Sequence, residues 1–190
     1  MKSKIIAKNK KHLKVLIKQE IELHGYQCDL NHIDVSQVTD MSALFSTSSF
    51  NGDISKWDVS NVKNMSQMFY DSDYLGDISN WNVSGVEDMS HMFGKSVFNG
   101  DISKWNVSNV GDMYCMFSYS KFSGDISNWK PYCLVFCTSK ILGLPDNLIP
   151  YWSEFEDQED RNRAIDSYYL QKKLGQELIE NNTHNKKLKI

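Results

Sequence analysis

The chain has 190 residues, a formal net charge of −3 and 41% apolar side chains. A balance so close to neutral argues against a general nucleic-acid binder and against an acidic mimic of one. The apolar share suits one domain with a continuous core, and no apolar run is long enough to cross a membrane.

The first element is a helix within residues 1–27. Asn9 can cap it, Leu13, Leu16, Ile17 and Ile21 form one apolar stripe, and Gly25 stands where a helix terminates. Residues 1–24 carry seven lysines against Glu20 and Glu22. Lys8, Lys10, Lys11, Lys14 and Lys18 spread round the helix, so a solvated face is a better reading than contact with nucleic acid or another polyanion. Met1 to Leu16 has no apolar core of a signal peptide, which points to a cytoplasmic protein with no membrane contact.

Residues 28–144 are dominated by a repeat. Trp57, Trp81, Trp105 and Trp129 recur every 24 residues. Gly52-Asp53-Ile54-Ser55 returns in step with them, as do Met65, Met89 and Met113, and Phe69, Phe93 and Phe117. A fixed period of this length marks stacked supersecondary units. Within one unit, Ile54, Trp57 and Val59 fit the L-x-x-L-x-L frame of a leucine-rich repeat. Val62 to Phe69 then changes to helical spacing. The expected fold is therefore an α/β repeat solenoid, a short leucine-rich-repeat stack of parallel strands and short helices. Strands are expected near 32–36, 56–60, 80–84 and 104–108, with a helix capping each end. A fifth unit starts at Ile126, departs at Lys130-Pro131, and leaves Leu134, Cys137 and Ile141 for its helix and 141–144 for a last short strand.

Residues 145–190 form the second cap. Ser153-x-x-Glu156 reads as a capping box. A long polar helix follows, from about Glu156 to Glu180, with Ile165, Tyr168, Tyr169, Leu174 and Leu178 facing the repeat or a partner.

The string F-N-G-D-I-S-K-W-D-V-S-N-V-K-N-M-S-Q-M-F at residues 50–69, with its copies over about residues 30–130, resembles the BspA-like leucine-rich repeat family in its tryptophan-rich bacterial form. That resemblance implies a repeat fold and binding to a protein. Family members are mostly surface or secreted proteins that bind host or partner proteins, and this chain departs from them in lacking an export signal.

Candidate sites follow from the expected fold. The concave sheet face would present His32, Asp34, Lys56, Asp58, Asn80, Asn82, Lys104, Asn106 and Asn128 to a protein partner. The C-terminal helix would present Arg161, Arg163, Tyr168 and Tyr169. The tryptophan, methionine and phenylalanine rows (Trp57, Trp81, Trp105, Trp129, Met65, Met89, Met113, Phe69, Phe93 and Phe117) read as core. Asp53, Asp77, Asp101 and Asp125 stand beside turn glycines and read as acceptors for turn N–H groups rather than as calcium ligands. Cys28, Cys115, Cys133 and Cys137 show no disulfide framework and no metal-site spacing. The His32–Asp34 pair is weak evidence for acid–base chemistry, and no catalytic motif is present. The expected function is a non-catalytic, cofactor-free protein-interaction module, such as a small inhibitor or immunity protein of a bacterial or phage system. The alternative is a bacterial surface adhesion module. Oligomeric state is left open.

Overall fold

The computed structural model describes residues 4–135 and 142–187, the last seven of these by backbone alone. Cys137, Ile141 and Lys189, and the side chains of Lys186 and Lys187, lie outside that description.

The chain opens with β1 (Ile5–Ile6) and α1 (Lys10–His24), followed by β2 (Ile33–Asp34). β1 and β2 pair in parallel, Ile5 against Ile33 and Ile6 against Asp34. Asn9 caps α1 by accepting from the His12 N–H at 3.0 Å, because the first turn of a helix has no internal acceptors. Gly25 ends it at φ +80, a region open to glycine, and donates to the Ile21 carbonyl at 2.8 Å. Leu13, Leu16 and Ile17 are buried in the common core.

The repeat does not build the expected solenoid. Among the described residues there are two strands of two residues each and two α-helices, and neither helix lies in the repeats. The segments 56–60, 80–84 and 104–108 are turns and irregular chain rather than strands, and the stretch from Val62 to Phe69 that was expected to be helical holds an isolated bridge at Asn64 and then a turn. The reason lies in the spacing itself. Each unit links tight turns whose first and fourth residues both point inward: Ile54 to Trp57, Val59 to Val62 and Met65 to Met68. The fourth residue's N–H donates to the first residue's carbonyl at 3.1, 2.9 and 3.1 Å. Buried residues three apart thus mimic helical periodicity, and the steps between turns mimic a strand. Gln67 (φ 56) in that stretch and Asp71 (φ 53) just after it take left-handed conformations, which a right-handed helix excludes.

Short polar side chains close these turns. Asp53 accepts from Ser55 N–H, Asp58 from Ser60 N–H and Asn64 from Ser66 N–H, at 2.9, 3.1 and 2.8 Å. Each is an Asx turn, in which a side-chain oxygen replaces a backbone acceptor two residues on. Asp77, Asp101 and Asp125 do the same for Ser79, Ser103 and Ser127.

Successive units lie in register. The N–H groups of Met41, Ala43, Phe45 and Thr47 donate to the carbonyls of Asn64, Ser66, Met68 and Tyr70 at 2.8–2.9 Å. The same four bonds recur one unit on, from Met65, Gln67, Phe69 and Asp71. Single β-bridges link Asp40, Asn64, Asp88 and Asp112. Inside, Phe45, Phe69, Phe93 and Phe117 stack with centroids 5.7–5.9 Å apart. Trp57, Trp81, Trp105 and Trp129 are at most 4% exposed. Each indole N–H donates to a carbonyl 27 residues earlier (Leu30, Ile54, Ile78 and Ile102) at 3.0–3.2 Å. A buried indole needs such a partner. Met65, Met89 and Met113 are fully buried beside them.

After the last unit come two short 3-10 turns, Asp146–Leu148 and Tyr151–Glu154, and then α2 (Gln158–Lys187). α2 starts later than the Ser153-x-x-Glu156 box placed it. Asp157 is its cap, accepting from Glu159 and Asp160 N–H at 2.8 and 3.0 Å. Ser153 instead lies in the preceding 3-10 turn, where its hydroxyl donates to the Pro150 carbonyl at 2.8 Å.

Candidate functional site

With no sheet running through the repeats among the described residues, these present no concave sheet face. The residues assigned to it are distributed differently. His32 is almost covered, and its Nε2 lies 3.3 Å from the Glu20 carboxylate on α1. Asp34, on β2, accepts from Ser36 N–H at 3.0 Å and pairs with Lys4 at 3.0 Å. Its carboxyl is pulled down to about 2, by the Ser36 hydrogen bonds first and then by Lys4. Asp58, Asn82 and Asn106 hold the N–H groups of Ser60, Ser84 and Ser108 at 3.1–3.2 Å. The Ser60 hydroxyl and N–H also hold the Asp58 carboxyl below the ordinary range. Lys56, Asn80 and Lys104 are exposed. Asn128 is taken by α2: its side-chain oxygen accepts from Lys172 at 3.0 Å and its carbonyl from the Tyr169 hydroxyl.

The α2 residues divide in the same way. Arg161 is fully buried and donates to the carbonyls of Phe155 and Leu134. It anchors the helix and is not presented to a partner. Tyr169 lies under the Lys130 ammonium, 3.6 Å from ring centre, and Tyr168 stacks on Tyr151 at 4.4 Å. Tyr132 donates to Asp166 at 2.8 Å, and burial followed by that carboxylate pushes its phenol up to about 12. Of the four residues assigned to this helix, Arg163 alone is classed as exposed, and it pairs with Asp160 and Glu159 on its own helix.

A different cluster emerges on the outer turn edge. Tyr114 and Tyr119 are 53% and 87% exposed. His91 meets Tyr114 edge-on at 5.3 Å and Tyr70 at 6.3 Å. The Lys95 ammonium lies 5.5 Å from the Tyr70 ring centre. The Tyr70 hydroxyl and ring-side charge hold Lys95 above the ordinary lysine value, and the Cys115 thiol raises the Tyr114 phenol. Tyr70, His91, Lys95, Cys115, Ser118 and Tyr119 line a shallow cavity of about 150 Å³. That volume suits one side chain of a partner rather than a drug-sized ligand. His91, Lys95, Cys115 and Tyr119 are all left-handed, at φ 53–58.

The signal for this cluster was present in the repeat. Inward positions recur unchanged or nearly so. The edge rows read Ser42, Ser66, Ser90, Tyr114 and Thr47, Asp71, Lys95, Tyr119. The turn geometry is the same in each unit, so the fold does not dictate these choices.

Among the described residues no group of three or more His, Cys, Asp or Glu side chains is placed to hold a metal ion. No helix among them is long and apolar enough to cross a membrane. Cys115 and Cys133 are free thiols.

A family model described as "Mycoplasma protein of unknown function, DUF285" matches residues 18–129, more than half of the chain. The chain belongs to DUF285. This family is related to the BspA-like repeat proteins. The DUF285 match runs from within α1 to Trp129 and so takes in the whole turn edge, but not α2. No curated protein and no solved structure matches the chain.

Proposed function

We propose that this DUF285 protein is a non-catalytic protein-binding module, and that its contact surface is the turn edge formed by Tyr70, His91, Lys95, Tyr114 and Tyr119. One observation carries the reading. Solvent-exposed aromatics cluster at positions where the repeat frame leaves the residue free. Tyrosine supplies a large contact area with few rotors and is enriched among interface hot spots. The role that fits is inhibition or immunity, in which a small chain occludes an enzyme of a bacterial or phage system. A cytoplasmic location belongs to this reading, and fractionation with an antibody to the chain tests it. Membrane contact, cofactors and nucleic acid have no part in it.

The likeness of the repeat string to tryptophan-rich BspA-like sequences favours a second reading, a surface adhesion module. Both readings use the same edge, and fractionation separates them.

The experiment for the edge itself is a pull-down from native lysate with quantitative mass spectrometry. The full chain is compared with a Tyr114→Ala/Tyr119→Ala double variant, using Lys56→Ala as a control away from the edge. Hot-spot loss of 2 kcal/mol or more corresponds to about 30-fold weaker binding. A partner retained equally by the wild type and the double variant would refute the assignment.

A further inference from the structure

α2 carries two apolar faces, and the fold uses one. The inner face is spent on the body: Ile165 is fully buried, and Tyr169 and Lys172 both bond to Asn128. At 3.6 residues per turn, Leu170, Leu174 and Leu178 fall on the opposite side, each one turn from the next. They are 58%, 49% and 64% exposed. A leucine row on the outer side of a docked helix adds nothing to the packing beneath it and marks an interaction surface.

The charges beside that row say what covers it. Lys173 and Glu177 sit one turn apart on the same flank, 3.9 Å from each other. In a two-fold antiparallel pair of identical helices, the same flank of each copy meets the other with its direction reversed. Lys173 then faces Glu177 of the second copy, and Glu177 faces its Lys173. A parallel pair would set this flank against the opposite flank of the second copy and leave Lys173 and Glu177 without that match.

We propose that a second copy of this chain docks on the outer face of α2, the two helices packing antiparallel through Leu170, Leu174 and Leu178. The contact is small beside the roughly 800 Å² per partner of a standard interface. The dimer is therefore weak, with a Kd on the order of 10–100 µM. It is independent of the turn edge, which lies in other elements.

Sedimentation equilibrium of the full chain over about 5–500 µM, a range set to bracket that Kd, tests it. A concentration-dependent monomer–dimer equilibrium is expected. Leu174→Asp should leave only monomer with an unchanged far-UV spectrum, since the position is half exposed. Lys173→Glu should weaken the dimer at least tenfold. Lys173→Glu combined with Glu177→Lys should restore it, since the swapped flank is again opposite in charge across the two-fold, while the helix content by circular dichroism should be the same in all three proteins. A wild type that stays monomeric throughout would overturn the proposal. So would a dimer untouched by Leu174→Asp, or one that the charge reversal fails to rescue.

Discussion

Tyr74 occupies a slot that holds phenylalanine in the other three units: Phe50, Phe98 and Phe122. Its ring is fully buried, 4.6 Å from Phe69 and 6.2 Å from Phe50. Its hydroxyl has no hydrogen-bond partner among the described residues. Burial, and after it the charges of Asp53 and Asp77, push the phenol well above the ordinary tyrosine value, as a hydroxyl cut off from water requires. An unpaired buried hydroxyl costs about 1–3 kcal/mol. Removing one oxygen opens a void of roughly 15 Å³, which costs about 0.4 kcal/mol at the usual cavity coefficient. Tyr74→Phe should therefore stabilise the fold by about 1–2 kcal/mol. For a chain of this length that is a rise in Tm of roughly 2–8 °C. Differential scanning calorimetry at neutral pH measures it, with urea unfolding followed by circular dichroism as the second reading. A Tm equal to or below that of the wild type would show that the hydroxyl is paired, and that the slot accepts tyrosine at no cost.

Trp81→Ala removes a 4%-exposed indole and its bond to the Ile54 carbonyl, and should cost about 3–5 kcal/mol in urea unfolding. An unchanged midpoint would contradict the inward ladder. Gln67→Gly relieves a left-handed residue at φ 56. That strain is about 1–2 kcal/mol and is partly cancelled by glycine's chain entropy, so stability should rise by about 0.5 kcal/mol. A loss of stability would mean that the Gln67 side chain is needed. The turn-capping aspartates predict the acid limb of stability. Asp34, Asp53, Asp58, Asp77 and Asp125 are all more acidic in the fold than an ordinary carboxyl. The unfolded chain, at about 3.9, takes up protons first as pH falls. Stability is thus full above about pH 5 and declines toward pH 2, where Asp34 itself protonates. Asp34→Asn should flatten this slope between pH 4 and about 2, as read by unfolding at stepped pH.

The inward frame was legible because burial acts on side chains one by one. Ile54, Trp57, Val59, Val62, Met65, Met68 and Phe69 are the apolar residues of a unit, and all are buried. What joins them was not legible from spacing. A helix and a run of tight turns both place apolar residues three apart, and only the backbone tells them apart. Of the decisive residues, Gln67 and Lys95 carry no signal for left-handed φ, and Asp71 and His91 carry only a weak one beside what glycine or asparagine would have supplied. The serines two positions after Asp53, Asp58 and Asn64 were a signal for turns. Reading Asp58 as an outward binding residue missed it, because the Asx oxygen that looked free is spent on Ser60 N–H. Arg161 was misplaced for a related reason. Arginine is a typical interface residue, and composition does not distinguish a partner's acceptors from the Phe155 and Leu134 carbonyls of the same chain.

The left-handed edge connects fold to function. Among the described residues, eight non-glycine residues there take positive φ, two in each of four units. Each costs on the order of 1–2 kcal/mol against a relaxed turn. Six of the eight take part in the register between units, since the N–H groups of Ala43, Thr47, Gln67, Asp71, His91 and Lys95 donate at 2.7–2.8 Å to the next unit. Backbone bonding therefore explains the conformation, but not the side chains. Glycine would make the same bonds without the strain. Retaining His91, Lys95, Cys115 and Tyr119 at such positions favours side chains that are used there. Their backbone is already held by inter-unit bonds or by the units that precede them. A partner meeting this edge would thus meet aromatic and cationic groups on a preordered scaffold, with little backbone entropy left to lose on binding.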